Sequence, residues 1–188
     1  MRWIIQLEGE QADAALAWAR WFLEGYDTSL VAWVRIDRGR GSYEGVYGRC
    51  RYPDERKSTY RLSCQVPGPF PCGIVTRKPP LYQRPDGTFP RAPRGCRRGK
   101  RVHDPRTGRQ WYRVLGSTRA ATIDEGIVWI LAHEAFHLLR HTRQIGGRDN
   151  EIEADRFADE QLDAFRLTDH ASVAALERGQ MVLPFARV

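Results

Sequence analysis

From Thr122 to Thr142 the chain is apolar almost all the way round: Ile127-Val128-Trp129-Ile130-Leu131-Ala132, then Ala135-Phe136, then Leu138-Leu139. A helix without a polar face belongs inside a fold, with other elements packed around it. Thr122 and Glu125 have capping-box spacing, which predicts a start near Ile123. Arg140, His141 and Arg143, then Gly146-Gly147, mark its end. Three polar side chains interrupt the run: His133, Glu134 and His137. An unpartnered polar group in a core costs roughly 2–7 kcal/mol. Residues four apart share a helical face, so the two imidazoles stand side by side with a carboxylate at their edge. Zinc gives all three a partner. His-Glu-x-x-His on a helix supplies two imidazole ligands, and the glutamate can take a proton from a water the metal activates.

Glu151 to Glu160 reads as a second helix, with Asn150 as its cap and Ala154, Ala158, Leu162 and Phe165 near helical spacing. A catalytic zinc takes three protein ligands and keeps one position open. Glu151, in the first turn, can be the third ligand. Asp155, one turn deeper on the same face, can accept the N–H of a ligating histidine. Glu153 competes for the ligand role but lies about 200° round the helix from Glu151 and lacks an aspartate beneath it. His141 stands eight residues after His133, about 12 Å along the axis. It reads as a cation at the helix C-terminus or as a wall of the cleft.

His133-Glu134-x-x-His137 followed by Asn150-Glu151-x-x-x-Asp155 resembles the gluzincin group of zinc metallopeptidases. The longer wording, with Leu138-Leu139-x-His141 and then Glu153-Ala154-Asp155-x-Phe157-Ala158, is also similar to the ImmA/IrrE family and to small one-domain gluzincins. The resemblance spans residues 122 to 166 and departs from the ImmA/IrrE pattern at Gln161-Leu162-Asp163-Ala164-Phe165. It implies a zincin-like fold and Zn²⁺ held by His133, His137 and Glu151. It also implies Asp155 behind a ligand imidazole, Glu134 as general base, and a protein or peptide as substrate. In that group an edge strand beside the metal pairs with an extended substrate. A donor for the oxyanion is also needed; His170, Tyr112 and His103 are the candidates.

The preceding residues read as one helix, Gly9 to Glu24, and then strands. Leu30–Ile36, Gly45–Tyr52 and Thr59–Val66 are expected, the last two joined by the polar turn Pro53–Ser58. Shorter ones are expected at Cys72–Thr76 and Arg109–Leu115. Helix, small antiparallel or mixed sheet, then two helices is an α+β order. The 188 residues suit a single domain, 1–188. Met1–Glu8 is too short and too soon interrupted for a signal peptide. With no apolar run near the roughly 20 residues of a membrane span, the expected location is the cytoplasm. Four cysteines without a C-x-x-C pair are expected as free thiols there.

Arg84 to Arg113 holds ten cations and two acids, a net +8 against +7 for the whole chain. It is rich in proline and glycine, which predicts a long loop inserted at about residues 77–108. Arg94, Arg97, Arg98, Lys100 and Arg101 are candidate contacts for nucleic acid, with Trp111, Tyr112 or Phe89 available for stacking. An acidic protein would use the same charges. A short helix from Thr168-Asp169 to Arg178 and an apolar tail at 180–188 complete the reading. The function expected is peptide hydrolysis, with DNA-associated or regulatory proteins as substrates. The alternative is a nucleic-acid-binding or regulatory module whose zinc is structural.

Overall fold

The computed structural model describes residues 1–7, 11–39 and 47–168. Its elements are β1 (Arg2–Gln6), α1 (Asp13–Glu24), β2 (Val31–Arg38), β3 (Gly48–Arg51), β4 (Tyr60–Val66), β5 (Cys72–Tyr82), β6 (Arg97–His103), β7 (Gln110–Ala120), α2 (Ile123–His141) and α3 (Glu151–Leu167). The architecture is mixed α+β: three helices and two small sheets among the described residues. No helix of these residues is long and apolar enough to cross a membrane.

The first sheet has the order β1-β2-β4-β3. β1 and β2 run parallel because α1 carries the chain back between them. β2 and β4 are also parallel, and only β3 and β4 form an antiparallel pair, across the Pro53–Ser58 turn. Strand signals in a sequence carry no direction, so the mixed order was not readable from them. Residues 2–6 near the start of the sequence form β1.

The core lies between this sheet and the helices. Val34, Ile36, Leu62 and Val66 meet Trp18, Leu23, Ile127, Ile130, Leu131, Leu138 and Leu139, all at or near zero exposure. The starts of α2 and α3 are fixed locally. Thr122 accepts from Glu125 N at 3.2 Å, while Glu125 Oε2 takes Ala121 N at 2.7 Å. Asn150 accepts from Ile152 N and Glu153 N at 3.0 and 3.1 Å. α1 starts at Asp13, later than expected, on an Ala12 that gives no side-chain cap. Instead Asp124, in the first turn of α2, accepts Ala15 N at 2.9 Å.

The inserted loop expected at 77–108 is corrected: much of it is sheet. The second sheet has the order β5-β7-β6 and is antiparallel throughout. Pro79-Pro80 is tolerated because β5 is an edge strand and its register shifts between Lys78 and Leu81. β6, the other edge, shifts between Arg98 and Arg101, around Gly99-Lys100. A charged, irregular edge strand has the composition of a loop, and edge strands carry such residues to discourage further pairing. Asp159 of α3 ties the layers together, accepting Thr118 Oγ1 of β7 at 2.7 Å and Trp129 Nε1 of α2 at 2.8 Å.

Candidate metal centre

α2 and α3 cross so that Glu151 faces the two imidazoles. His133 Nε2 lies 3.5 Å from Glu151 Oε2, and His137 Nε2 lies 3.7 Å from Glu151 Oε1. One ligand atom from each residue falls within 4.8 Å of the others. Donors at about 2.1 Å from a tetrahedral zinc stand about 3.4 Å apart. The two histidine–glutamate separations are close to that spacing, so the three residues could hold a metal ion. Glu153 instead turns to Arg156 at 2.5 Å, away from the imidazoles.

Both imidazoles are held from behind. Asp155 Oδ1 is 3.0 Å from His133 Nδ1, a charge pair whose angle falls short of a hydrogen bond. The other oxygen of Asp155 accepts the Arg77 backbone N–H from β5. Asp149 Oδ1 is 2.7 Å from His137 Nδ1. A carboxylate on each Nδ1 turns each Nε2 toward the same point, the arrangement in which histidines ligate metal. Sequence reasoning named Asp155 and missed Asp149, which sits just before the α3 cap and meets His137 only through the packing of the two helices.

Glu134 is buried, 7 % exposed. Burial raises its pKa above the ordinary carboxylate value, while His133, His137 and the Cys50 backbone N–H pull it down. It fits only because residue 48 is glycine. A Cβ there would stand 2.6 Å from Glu134 Cγ, 2.7 Å from its Oε1 and 2.7 Å from the Ser63 carbonyl oxygen. A glycine inside a strand signals such a close approach. Burial opposes charge on His133, yet Asp155, Glu151 and Glu134 together push its pKa up to about 10. Glu151 is held below its usual value by His133, against the effect of its own burial. Cys50, in the same cleft, is pushed up to about 12 by burial and then by Glu134 and Asp149, so it stays a neutral thiol.

The cleft, about 390 Å³, opens between β3 and β5. Tyr47, Gly48, Cys50 and Tyr52 line one side, Val75 and Arg77 the other, and Trp129 stacks on His133 at 5.4 Å. β3 is the edge of its sheet. Tyr47 O bonds β4 through Gln65 N, while Cys50 N–H turns to Glu134. By antiparallel alternation, the main-chain groups of Gly48 and Cys50 face the cleft. Tyr52, just beyond β3, sets its hydroxyl 3.4 Å from Asp149 Oδ2 and stacks on His141 at 4.4 Å. Tyr60 fixes His141 through Nδ1 at 2.5 Å, so His141 supports the cleft wall.

Other expected site residues lie elsewhere. Tyr112 is not at the cleft: on β7 it packs against Phe89 at 4.8 Å with Arg98 over its ring at 5.1 Å. His103 ends β6 and does not line the cleft. His170, the tail helix from Asp169 onward and the 180–188 tail lie outside the described residues. All four cysteines are free. Arg94 lies in the segment ahead of β6, and Arg97, Arg98, Lys100 and Arg101 are on that strand rather than a loop. The chain matches no family model, and neither a curated protein nor a solved structure matches it.

Proposed function

We propose that this chain is a zinc-dependent peptidase of gluzincin type on a zincin-like fold. The observation that carries the reading is the convergence of His133, His137 and Glu151, with a carboxylate behind each imidazole. His133, His137 and Glu151 would hold the metal, and Asp155 and Asp149 would orient the imidazoles. When bound, zinc lowers the pKa of a water and polarises a carbonyl. Glu134, kept protonatable by burial, takes the proton of the attacking water and delivers it to the leaving amine. The open edge of β3 offers the Gly48 main-chain groups and the Cys50 carbonyl to an extended peptide, which adds as a further strand. Tyr52 replaces Tyr112 as the candidate donor toward the reacting carbonyl, because it lines the cleft.

Elemental analysis and hydrolysis of a fluorogenic peptide library test this together. Wild type binds one zinc per chain and cleaves; Glu134→Gln keeps the zinc and loses on the order of 10²–10⁴ in turnover; Glu151→Ala loses the zinc. A zinc-free wild type, or Glu134→Gln with full turnover, rejects the proposal.

A further inference from the structure

The β5-β7-β6 sheet carries charge that the cleft does not use. Cys72 to Ala120 contains thirteen Lys and Arg against Asp86 and Asp104, a net +11; with +7 for the whole chain, the remainder is −4. The two acids serve their own turns, Asp86 accepting from Thr88 and Asp104 from Arg106 N and Thr107.

Register sorts the cations by face. Trp111 pairs with Tyr82 and Val102, and Leu115 pairs with Arg77 and Arg97. Cross-strand partners share a face and faces alternate along a strand. Tyr82, Trp111, Arg113, Arg77 and Arg97 therefore stand on one side. On the other side Arg98 lies over Tyr112 at 5.1 Å and Arg101 over Phe89 at 5.2 Å, so their guanidiniums already have partners. The first face is open. Tyr82 is 51 % exposed, Arg97 and Arg113 are exposed, and neither arginine has an acidic partner among the described residues. The Tyr82 and Trp111 rings stand 5.9 Å apart at 47°. Beside Tyr82, Arg84 and Arg109 border a groove with Gly108.

We propose that this face binds single-stranded nucleic acid, with bases on Tyr82 and Trp111 and phosphates on Arg84, Arg97, Arg109 and Arg113. An exposed tyrosine and a half-buried tryptophan interleaved with guanidiniums suit unpaired bases, whose π-faces are free, whereas a duplex hides them. An acidic polypeptide would match the arginines and leave the rings unused. The face runs into the cleft at Val75 and Arg77. The proposal concerns binding alone and stands whether or not the metal centre is catalytic.

Fluorescence anisotropy of the full chain against labelled oligo(dT) and oligo(U) of about 20 nucleotides, the matching duplex and a polyglutamate competitor, over a salt series, tests it. Single strands bind more tightly than duplex, and polyglutamate competes poorly. Arg97→Ala with Arg113→Ala lowers the log–log salt slope by about 1.4. Tyr82→Ala weakens binding roughly five- to hundredfold, while Tyr82→Phe, which keeps the ring, binds like wild type. Arg56→Ala with Lys57→Ala, the same loss of two charges in the β3–β4 turn, has no effect. Circular dichroism checks that each variant is folded. Duplex or polyglutamate binding as tight as the single strand overturns the proposal. So does a silent Tyr82→Ala, or no oligonucleotide binding at low salt.

Discussion

In the cleft, the ionisable groups hold one another. Asp149 faces His137, Asp155 faces His133, Glu151 faces both, and Glu134 is wedged against Gly48. On the three-stranded sheet, Arg97 and Arg113 are exposed and have no acidic partner among the described residues. The first region is acidic and mutually constrained, with Glu134 and Asp155 buried; the second is basic, exposed and independent. A substitution in the first should therefore propagate to its neighbours, while one in the second should act alone.

Gly48→Ala should break the cleft side of this contrast most severely. The added Cβ meets Glu134 and the Ser63 carbonyl, and that carbonyl belongs to the neighbouring strand β4. Glu134 must give way. Turnover on a peptide substrate should fall by on the order of a hundredfold. Zinc content stays at one per chain, and stability drops by about 1–3 kcal/mol. Undiminished turnover in a folded Gly48→Ala would show that Glu134 does not work from this position. A matching change on the basic sheet, Arg113→Ala, should leave turnover alone.

Asp149→Asn comes next. The amide can still meet His137 but no longer supplies a negative charge behind the imidazole. Zinc affinity, read by competition with a chromophoric chelator, should fall about 10–100-fold. An unchanged affinity would make Asp149 a bystander and leave His133 the better-supported ligand.

The two regions were also unequally legible in the sequence. His133, Glu134 and His137 were readable because helical spacing alone brings them together. Asn150 and Thr122 were readable because caps act within three residues. Glu151 and Asp155 needed only one further helix. Asp149 and Gly48 were missed because their roles exist only across elements, although a glycine amid strand residues was a usable signal. Tyr112 was chosen by residue type, and its strand sends it to Phe89 and Arg98 instead. β6 was hidden because Arg97-Arg98-Gly99-Lys100-Arg101 has no apolar alternation; pairing with β7 makes it a strand.

A smaller effect separates the regions by pH. In the metal-free protein the folded pKa of His133 lies near 10, above its ordinary 6.5. Its stabilising contribution is complete below pH 6.5 and is lost as pH rises through 10. Glu151 acts oppositely: its folded pKa is lowered, so its contribution is present above its ordinary 4.5 and lost as pH falls below that. Arginines of the basic sheet stay charged throughout and add no slope. Urea melts of the metal-free chain should therefore show stability declining from about pH 6.5 to 10. Saturating zinc should flatten that decline, because ligation requires the proton to leave. A flat profile without metal would mean that the carboxylates do not hold His133 charged.

The smallest effect lies at the end of α2, outside both regions. Arg143 has φ 61°, the left-handed conformation that glycine adopts without strain. Gln144 N reaches Leu139 O at 2.8 Å and Arg143 N reaches Arg140 O at 3.1 Å, closing the helix in a Schellman-type turn. Arg143→Gly should raise stability by about 0.5–1 kcal/mol, measured by thermal unfolding. Zinc affinity and oligonucleotide binding should not change, since Arg143 borders neither the cleft nor the basic face. A gain in stability accompanied by a change in zinc affinity would mean that the α2–α3 connection, which carries Asp149, is coupled to the metal centre.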